Sequence, residues 1–372
     1  MTPQNATAPA AAAAREPRRA DGPIRLMIVD DSQIARAVLS RMLAAHKEFE
    51  VVALASNAGE ALETLKKSRI DIVLLDVEMP GTSGLDALPD ILRAGAGARV
   101  LIVSSHCEEG AEATVKALAL GAADTLPKPG IGNFGGRFSD VLAERLRRIG
   151  GASLGRKPAP AAAETGPAEF SLRPMPLHKL GCLALGASTG GLHAIGEFLR
   201  LLPPRIGAPI LVTQHLPPVF MPFFARQIEA ASGRTSRVAE DGVAVQAEQV
   251  LIAPGEAHLG LERVGSGIKV RLSGTPASSG CLPSVDPMLW SVSEIYGKSG
   301  LAVIFSGMGR DGLVGSARIV DRGGCVLAQD QRSSAVWGMP RAVAEAGLAS
   351  AVAGPAELAR RVASRVETAP WK

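Results

Sequence analysis

Aromatic residues are scarce in this sequence, since Phe, Trp and Tyr together make up 3% of its 372 residues. Cysteines are few as well: the four are widely spaced, form no C-x-x-C pair and share no zinc-like spacing with histidine. That pattern argues against a disulfide framework and against a structural zinc site. It is typical of a reducing compartment, so we expect a cytoplasmic protein.

Long apolar runs and a strong net charge are also missing. No stretch approaches the roughly 18 apolar residues of a membrane-spanning helix, so we expect no membrane insertion. Forty Lys and Arg against 36 Asp and Glu leave a net charge of +4, too balanced for a dedicated nucleic-acid binder. Residues 1–23 are rich in Ala and Pro and lack the apolar centre of a secretory signal, which predicts a disordered tail.

What the chain has is apolar residues, 47% of the total, arranged in short runs that alternate with helical patterns. Five such runs, at 24–29, 51–55, 70–75, 100–104 and 124–126, predict a parallel five-stranded sheet covered by helices, of the flavodoxin-like class. The segment 149–177 has the Pro, Ala and Gly content of a linker. Apolar runs at 180–185, 209–213, 249–253, 268–272 and 301–305 then predict a second α/β domain, with a mainly parallel sheet. The expected domains are 24–148 and 178–372.

Acidic and basic side chains follow the predicted strands of the first domain. Asp30 and Asp31 follow the first strand, Asp76 the third, Ser104 ends the fourth and Lys128 follows the fifth. The carboxyl ends of parallel strands share one edge of a sheet, so these groups should converge. Three crowded carboxylates repel one another unless a cation intervenes, and hard oxygen ligands suit Mg²⁺. With Lys128, such a site could accept a phosphoryl group.

A candidate nucleophile lies in the second domain, in the segment LALGASTGG. There Ser188 follows a predicted strand and precedes a predicted helix, within the pattern G-x-S-x-G of a nucleophile elbow. His215 follows the next predicted strand and is preferred as base, because His46, His106, His178 and His193 are poorly placed and His258 reads as a turn residue. Asp311, in the glycine-rich loop after a further strand, is preferred as the orienting acid, with Asp286 and Asp241 as alternatives.

The first domain resembles a receiver domain of two-component signalling, on Asp30, Asp31, Ser104, the segment LLDVEMPGTSGLD and Lys128 in PKP. The resemblance implies that Asp76 is phosphorylated by a histidine kinase, with Mg²⁺ held by Asp30, Asp31 and Asp76. It makes Ser104 the switch hydroxyl and Lys128 a contact of the phosphoryl group. Where the family usually has an aromatic residue near the fifth strand, this sequence has Thr125.

The second domain resembles the catalytic domain of the chemotaxis protein-glutamate methylesterases, on LALGASTGG, VTQHLPPVF, APGEAH, PSVDPM and FSGMGRDG. The resemblance implies Ser188 as nucleophile, His215 as base and Asp311 as orienter, with Thr189 and Met308 flanking an oxyanion site through backbone N–H groups. His258 and Asp286 would line the site. The implied substrates are glutamate γ-methyl esters of chemoreceptors, with glutamine deamidation by the same route and no cofactor for hydrolysis.

Two other functions are compatible with a receiver-like first domain. A phosphorylation-gated binding protein with a vestigial esterase site is disfavoured by the intact Ser, His and Asp set. A receiver-linked transcription factor would need a basic recognition helix, and residues 178–372 have no helix-turn-helix pattern or basic cluster.

Overall fold

The computed structural model describes residues 22–104, 108–128, 136–151 and 170–366. All but the last two residues of the predicted tail lie outside these ranges, as does most of the predicted linker. The first described part, 22–151, is called the N-terminal half below, and 170–366 the C-terminal half.

The N-terminal half contains one five-stranded parallel sheet with the strand order β2-β1-β3-β4-β5. This is the order of the flavodoxin-like class, and it confirms the predicted fold. Its strands are β1 (Ile24–Val29), β2 (Phe49–Ala55), β3 (Ile72–Asp76), β4 (Arg99–Ser104) and β5 (Asp124–Pro127). Its helices are α1 (Gln33–Ala44), α2 (Ala58–Lys67), α3 (Gly84–Gly95), α4 (Glu108–Leu120) and α5 (Gly136–Gly151).

Local sequence explains where several of these helices begin. The side chains of Ser32, Asn57 and Ser83 stand at the N-termini of α1, α2 and α3 and accept backbone N–H groups of the first turn. Such caps satisfy donors that have no partner inside the helix. Ser32 and Asn57 lie in the short loops that join β1 to α1 and β2 to α2. These two helices therefore begin close to the carboxyl edge of the sheet, where the strands end.

The C-terminal half contains a seven-stranded sheet with the order β14-β13-β12-β6-β7-β9-β8. Every paired neighbour in it is parallel, which confirms the predicted mainly parallel sheet. Its strands are β6 (Cys182–Ala187), β7 (Ile210–Gln214), β8 (Ser236–Val238), β9 (Val250–Ile252), β12 (Gly300–Ile304), β13 (Cys325–Gln329) and β14 (Ala351–Ala353). An antiparallel hairpin, β10 (His258–Val264) and β11 (Gly267–Ser273), lies apart from that sheet.

Six helices cover the larger sheet. They are α6 (Gly191–Arg200), α7 (Met221–Ser232), α8 (Val285–Tyr296), α9 (Leu313–Asp321), α10 (Met339–Glu345) and α11 (Pro355–Ala363). The central strands β6, β7 and β12 are fully buried, because helices lie on both faces. In the described part of the chain no helix has the length and apolar character needed to cross a membrane.

The two halves touch through α4, which packs against α6 and α7. At this contact the carbonyl of Ala119 accepts a hydrogen bond from Nδ1 of His193, over 2.8 Å. Nearby, the guanidinium of Arg99 donates to the carbonyl of Ser334 over 3.1 Å. Burial lowers the pKa of the Arg99 guanidinium, so this cation stands in a largely dry contact.

Both described ends of the predicted linker, 149–151 and 170–177, belong to or pack on neighbouring structure. Helix α5 runs to Gly151, a few residues beyond the expected domain boundary. On the other side the Phe170 ring lies edge-on to Trp337, with 5.8 Å between the ring centroids. The N–H of Arg173 donates to the carbonyl of Ala349 over 2.9 Å. The segment 170–177 therefore packs on the rest of the C-terminal half.

Candidate active site

Ser188 and His215 lie side by side because of the register of their strands. Strands β6 and β7 are parallel, and their last residues, Ala187 and Gln214, are partners. The residue that follows β6 is therefore Ser188, and the residue that follows β7 is His215. Two further bonds fix this edge: the N–H of His215 donates to the carbonyl of Ala187 over 3.2 Å, and Nε2 of Gln214 donates to the carbonyl of Ser188 over 2.8 Å.

Ser188 occupies the sharp strand-to-helix turn that the sequence predicts. Its N–H donates to the carbonyl of Ser306 over 3.0 Å, and its own carbonyl accepts the N–H of Gly191 over 2.9 Å. Gly190 has a φ of 75° and lies so close to Ala335 that a Cβ atom on it would be 2.2 Å from the Ala335 Cβ. Only glycine satisfies both conditions, so the elbow depends on it.

His215 and Asp311 are in direct contact. Nε2 of His215 lies 2.8 Å from Oδ2 of Asp311. The carboxylate is buried, at 2% side-chain exposure, while the imidazole is 17% exposed and open to the adjoining cavity. Because Nε2–H faces the acid, Nδ1 is the ring nitrogen left to accept a proton from a nucleophile.

Asp311 is held at the N-terminus of α8. Its Oδ1 accepts the hydroxyl of Ser284 over 2.7 Å, and its Oδ2 accepts the N–H of Val285 over 2.8 Å. The N–H of Gly312 adds a third bond, over 3.1 Å. A buried carboxylate with this many donors is stable as an anion and fixed in orientation, which suits an acid that orients a histidine.

The surroundings move the pKa values of the pair apart. Burial alone lowers the pKa of His215, but its hydrogen bonds to Asp311 and Cys281 outweigh burial and raise the pKa to about 9. For Asp311 burial raises the pKa, but the hydrogen bonds from His215, Ser284 and Val285 prevail and lower it to about 2. The pair therefore favours an imidazolium beside a carboxylate, the charge state that forms when a histidine takes a proton.

Ser188 and His215 line one cavity of about 220 Å³. Its far wall comes from the N-terminal half and includes Asp124, Arg145 and Arg148. Among the described residues no hydrogen bond joins the Ser188 hydroxyl to His215. Such bonds are often long in the free form of an enzyme and tighten when substrate binds.

The alternative bases and acids have other partners. Nδ1 of the buried His258 accepts the N–H of Ser284 over 2.9 Å, and Nε2 lies 2.9 Å from the carbonyl of Thr275. Asp286 accepts the N–H of Gly315 over 2.7 Å, and burial raises its pKa to about 6.

The third alternative, Asp241, accepts the N–H of Leu272 over 2.7 Å, at the hairpin. The structure therefore pairs His215 with Asp311 and with neither of the other two acids. Through Ser284, His258 supports the loop that holds Asp311.

The predicted oxyanion residues flank Ser188. Thr189 follows it directly, and Met308 follows Gly307, on which a Cβ atom would lie 2.8 Å from the Ser188 Cβ. Within the described part of the chain, neither the Thr189 N–H nor the Met308 N–H donates to a backbone carbonyl. Two N–H groups near one serine are the arrangement that an oxyanion hole requires.

The acidic cluster forms at the carboxyl edge of the N-terminal sheet. One carboxylate oxygen each of Asp30, Asp31 and Asp76 lies within 4.8 Å of the other two. Nζ of Lys128 lies 2.6 Å from Oδ2 of Asp76 and 3.1 Å from Oδ2 of Asp30. Burial raises the pKa of Asp76 despite the hydrogen bond from Lys128. At Lys128 burial lowers the pKa, but the hydrogen bond to Asp76 outweighs burial and the pKa is raised. Three oxygen donors of this kind fit a hard divalent cation.

Ser104 ends β4 and pairs with Pro127 of the neighbouring strand, so its backbone lies at the same edge. Thr125 lies in β5 and is buried, with 8% exposure. The structure therefore buries a small polar side chain at the position where the resemblance to receiver domains implies an aromatic residue.

Two features of the C-terminal site could not be found by sequence reasoning. Ser284 links His258 to Asp311, and Cys281 brings its thiol beside the His215–Asp311 pair. Neither residue follows a strand, and neither lies in a motif with a fixed spacing to its partners. Ser284 lies within the segment PSVDPM and Cys281 lies two residues before it, but nothing in that segment indicates which residues their side chains contact.

Comparison with known proteins agrees with this geometry. Residues 183–362 match the CheB methylesterase family, and residues 26–132 match the response regulator receiver domain. A protein-glutamate methylesterase/protein-glutamine glutaminase 1 of Paramagnetospirillum magneticum is 39% identical over 92% of this chain and 96% of its own. Another enzyme of that name, number 2 of Caulobacter vibrioides, is 37% identical over 93% of this chain and 99% of its own.

Among solved structures, the Thermotoga maritima CheB methylesterase catalytic domain is 34% identical, with a TM-score of 0.49 over 50% of this chain and 100% of its own. The two curated relatives are covered almost from end to end, through both halves of the chain. On this similarity, the chain belongs to the CheB methylesterase family, with a receiver domain preceding the methylesterase region.

Proposed function

We propose that this protein hydrolyses γ-methyl esters of glutamate side chains on chemoreceptors and deamidates receptor glutamines, with Ser188 as nucleophile. The observation that carries the proposal is the His215–Asp311 pair, 2.8 Å apart, next to a serine at a strand-helix elbow. The relatives named as methylesterase and glutaminase supply the substrate class. An amide and an ester follow the same acyl route, so one site serves both reactions.

In the proposed reaction Ser188 Oγ attacks the ester carbonyl while Nδ1 of His215 takes the hydroxyl proton. The tetrahedral oxyanion accepts hydrogen bonds from the N–H groups of Thr189 and Met308, each worth about 3 kcal/mol in such sites. His215 returns the proton to the departing methoxide, and methanol leaves. Water, activated by the same imidazole, then cleaves the acyl-enzyme and restores Ser188 with a free glutamate carboxylate. Asp311 holds the imidazole orientation throughout.

For the N-terminal half we propose Asp76 as the phosphoacceptor, with a histidine kinase as phosphodonor. Asp30, Asp31 and Asp76 would hold Mg²⁺, which when bound neutralises charge on the phosphoryl oxygens. Lys128, already paired with Asp76 over 2.6 Å, would contact the phosphoryl group, and Ser104 would be the switch hydroxyl. The cytoplasmic location expected from the sequence belongs to this proposal, since both partners act there.

The test of the proposed activity is methanol release from receptor membranes that carry labelled methyl esters. We expect the purified full chain, given Mg²⁺ and a small phosphodonor, to release labelled methanol and to release ammonia from receptors with unmodified glutamines. Failure to release methanol from any methylated receptor would remove the proposed function and favour a phosphorylation-gated binding protein.

The raised pKa of His215 makes a prediction about pH. Only the neutral imidazole can take the Ser188 proton, and a pKa of about 9 means that most of the free enzyme is protonated at neutral pH. We therefore expect kcat/KM to increase by about tenfold per pH unit below that pKa and to level off above it. Asp311→Asn removes the charge that raises the pKa, so its weaker activity should level off at lower pH. A wild-type profile flat from about pH 7 to about pH 9 would contradict this assignment.

A second prediction concerns regulation. The cavity that contains Ser188 is walled on one side by Asp124, Arg145 and Arg148 of the N-terminal half. We propose that this wall blocks the approach of a helical receptor segment to Ser188. We propose that phosphorylation at Asp76 shifts the protein away from this closed arrangement. Residues 178–372 alone should then demethylate receptors faster than the unphosphorylated full chain.

The measurement is the initial rate of both proteins on the same receptor membranes. A longer piece, 170–372, is the matched control, because Phe170 and Arg173 contact Trp337 and Ala349 and so could stabilise the isolated piece. If both pieces are slower than the full chain, and a phosphoryl analogue leaves the full chain unchanged, the receiver is not an inhibitory cap. Docking on the receptor array would then be its better explanation.

A further inference from the structure

Three side chains of metal-binding type meet beside the proposed base. They are His215, after β7, Cys281, in the loop before α8, and Asp311, after β12. One ligand atom of each lies within 4.8 Å of the ligand atoms of the other two. The fold alone creates this cluster, because the three residues are far apart in the sequence and belong to no common motif.

Cys281 is held in place beside the proposed base, and its thiol carries out no chemical step of the proposed hydrolysis. The residue is half-buried, and its N–H donates to the hydroxyl of Ser279 over 3.3 Å. The Ser279 hydroxyl in turn donates to Ser284 over 3.1 Å, and Ser284 donates to Asp311 over 2.7 Å. A chain of hydrogen bonds therefore fixes the loop of the thiol to the carboxylate that orients His215.

We propose that His215, Cys281 and Asp311 form a Zn²⁺ site, with water as the fourth ligand, and that zinc bound there inhibits the hydrolase. Imidazole nitrogen, thiolate sulfur and carboxylate oxygen are the ligands zinc takes, and three protein ligands with one open position form a common coordination set. On binding, the Cys281 thiol releases its proton to solvent and its sulfur bonds to the metal.

The geometry needs only a small adjustment. Zinc bonds of about 2.0 to 2.3 Å place tetrahedral ligand atoms roughly 3.3 to 3.7 Å apart. Nε2 of His215 and Oδ2 of Asp311 are 2.8 Å apart, so these two atoms must separate by less than about 1 Å to admit the ion between them. His215 and Cys281 are both partly exposed and can make that movement, while the buried Asp311 stays fixed.

Selectivity follows from the ligands. The carboxylate cluster of Asp30, Asp31 and Asp76 offers hard oxygens only, which suits Mg²⁺, whereas thiolate and imidazole favour zinc over magnesium. The two clusters should therefore bind different metals when both ions are present.

Zinc at this site removes the base. A cation bonded to the imidazole either takes the lone pair that accepts the Ser188 proton or replaces the proton shared with Asp311, and in both cases the ring becomes less basic. This inhibitory consequence depends on the proposed function, whereas metal binding itself does not.

The first test reads the metal site without any turnover. Metal-stripped full chain is titrated with CoCl₂ in excess Mg²⁺, which occupies the acidic cluster, and the thiolate-to-cobalt charge-transfer absorption is followed in the near ultraviolet. We expect a band that saturates at one equivalent and disappears on addition of ZnCl₂. The band should be absent in Cys281→Ser and retained in Cys107→Ser, which changes a cysteine of the N-terminal half. No band in the wild type, or an equal band in Cys281→Ser, would overturn the site.

The second test reads inhibition. Phosphorylated full chain is assayed for methanol release against increasing ZnCl₂, and Cys281→Ser should raise the half-inhibitory concentration by at least about tenfold. Each protein is compared with its own metal-free rate, because loss of the Cys281 hydrogen bond also lowers the pKa of His215 and so changes that rate. Equal zinc sensitivity of the two proteins would overturn the role of the thiol.

If Cys281→Ser fails to fold, as judged by its thermal melt, Cys281→Ala takes its place, and the cobalt band of the wild type still decides whether a thiolate binds. One outcome separates the metal site from the proposed function. A cobalt band in a protein that releases no methanol would support the metal site and remove the proposed function.

Discussion

Replacement of Ser188 by alanine is expected to reduce methanol release by at least about 10³-fold, with folding intact. Ser188 is the hydroxyl at the strand-helix elbow, next to His215 at the end of the paired strand. Loss of the nucleophile leaves only binding and the N–H groups around the ester carbonyl, which retain a small part of the rate enhancement. The measurement is the initial rate on methylated receptor membranes, together with a thermal melt.

Three variants make this result specific. Ser291→Ala, on α8, applies the same chemical change to a serine that donates to the carbonyl of Met288, and it should leave the rate unchanged. His215→Ala should be nearly as slow as Ser188→Ala, because a serine without its base is a poor nucleophile. His258→Ala removes only a support of the Asp311 loop and should lose less. Near-normal turnover in Ser188→Ala would remove it as nucleophile, and an inactive His258→Ala beside an active His215→Ala would move the base.

Asp76→Asn is expected to abolish acid-labile phosphorylation of the full chain, because an amide cannot take up the phosphoryl group. Wild-type protein should gain phosphate from a histidine kinase or a small phosphodonor only with Mg²⁺. The three carboxylates repel an incoming phosphoryl group unless a cation neutralises them. Phosphate incorporation is measured with and without a chelator.

Asp90→Asn provides the matched control. Asp90 is an exposed carboxylate on α3 that pairs with Arg93 over 2.7 Å, away from the acidic cluster, so this variant should be phosphorylated at the wild-type rate. Unchanged phosphate incorporation in Asp76→Asn would refute the assignment of Asp76 as phosphoacceptor. Incorporation into the wild type that a chelator does not reduce would refute the requirement for Mg²⁺.

The sequence predicts the central strands of both sheets well, because each is a continuous apolar run bounded by turn residues. It misses β8 and β14, which have three residues each, and β13. The hairpin strand β10 is not recognisable from the sequence for a different reason. It begins at His258, which reads as a turn residue, since a strand with one open face carries polar residues too.

The candidate site shows the same division. The convergence of Ser188, His215 and Asp311 at one sheet edge is predictable from the sequence, because each follows a strand and parallel strands end together. The hydrogen bonds from Ser284 to Asp311 and from Ser284 to His258 are not found, since they depend on how one loop folds back over the sheet edge. Cys281 is missed for the same reason, and no spacing rule would recover it.

The cavity shared by the two halves has a consequence for small-molecule pharmacology. A compound that fills it would touch Ser188 and His215 on one side and Arg145 and Arg148 on the other, and so would hold the halves together as a molecular glue. If phosphorylation at Asp76 shifts the protein away from the closed arrangement as proposed above, such coupling is reciprocal. The compound would then bind unphosphorylated protein more tightly and would oppose that shift to the same degree. Screening against the full chain would find such compounds, and screening against residues 178–372 would not.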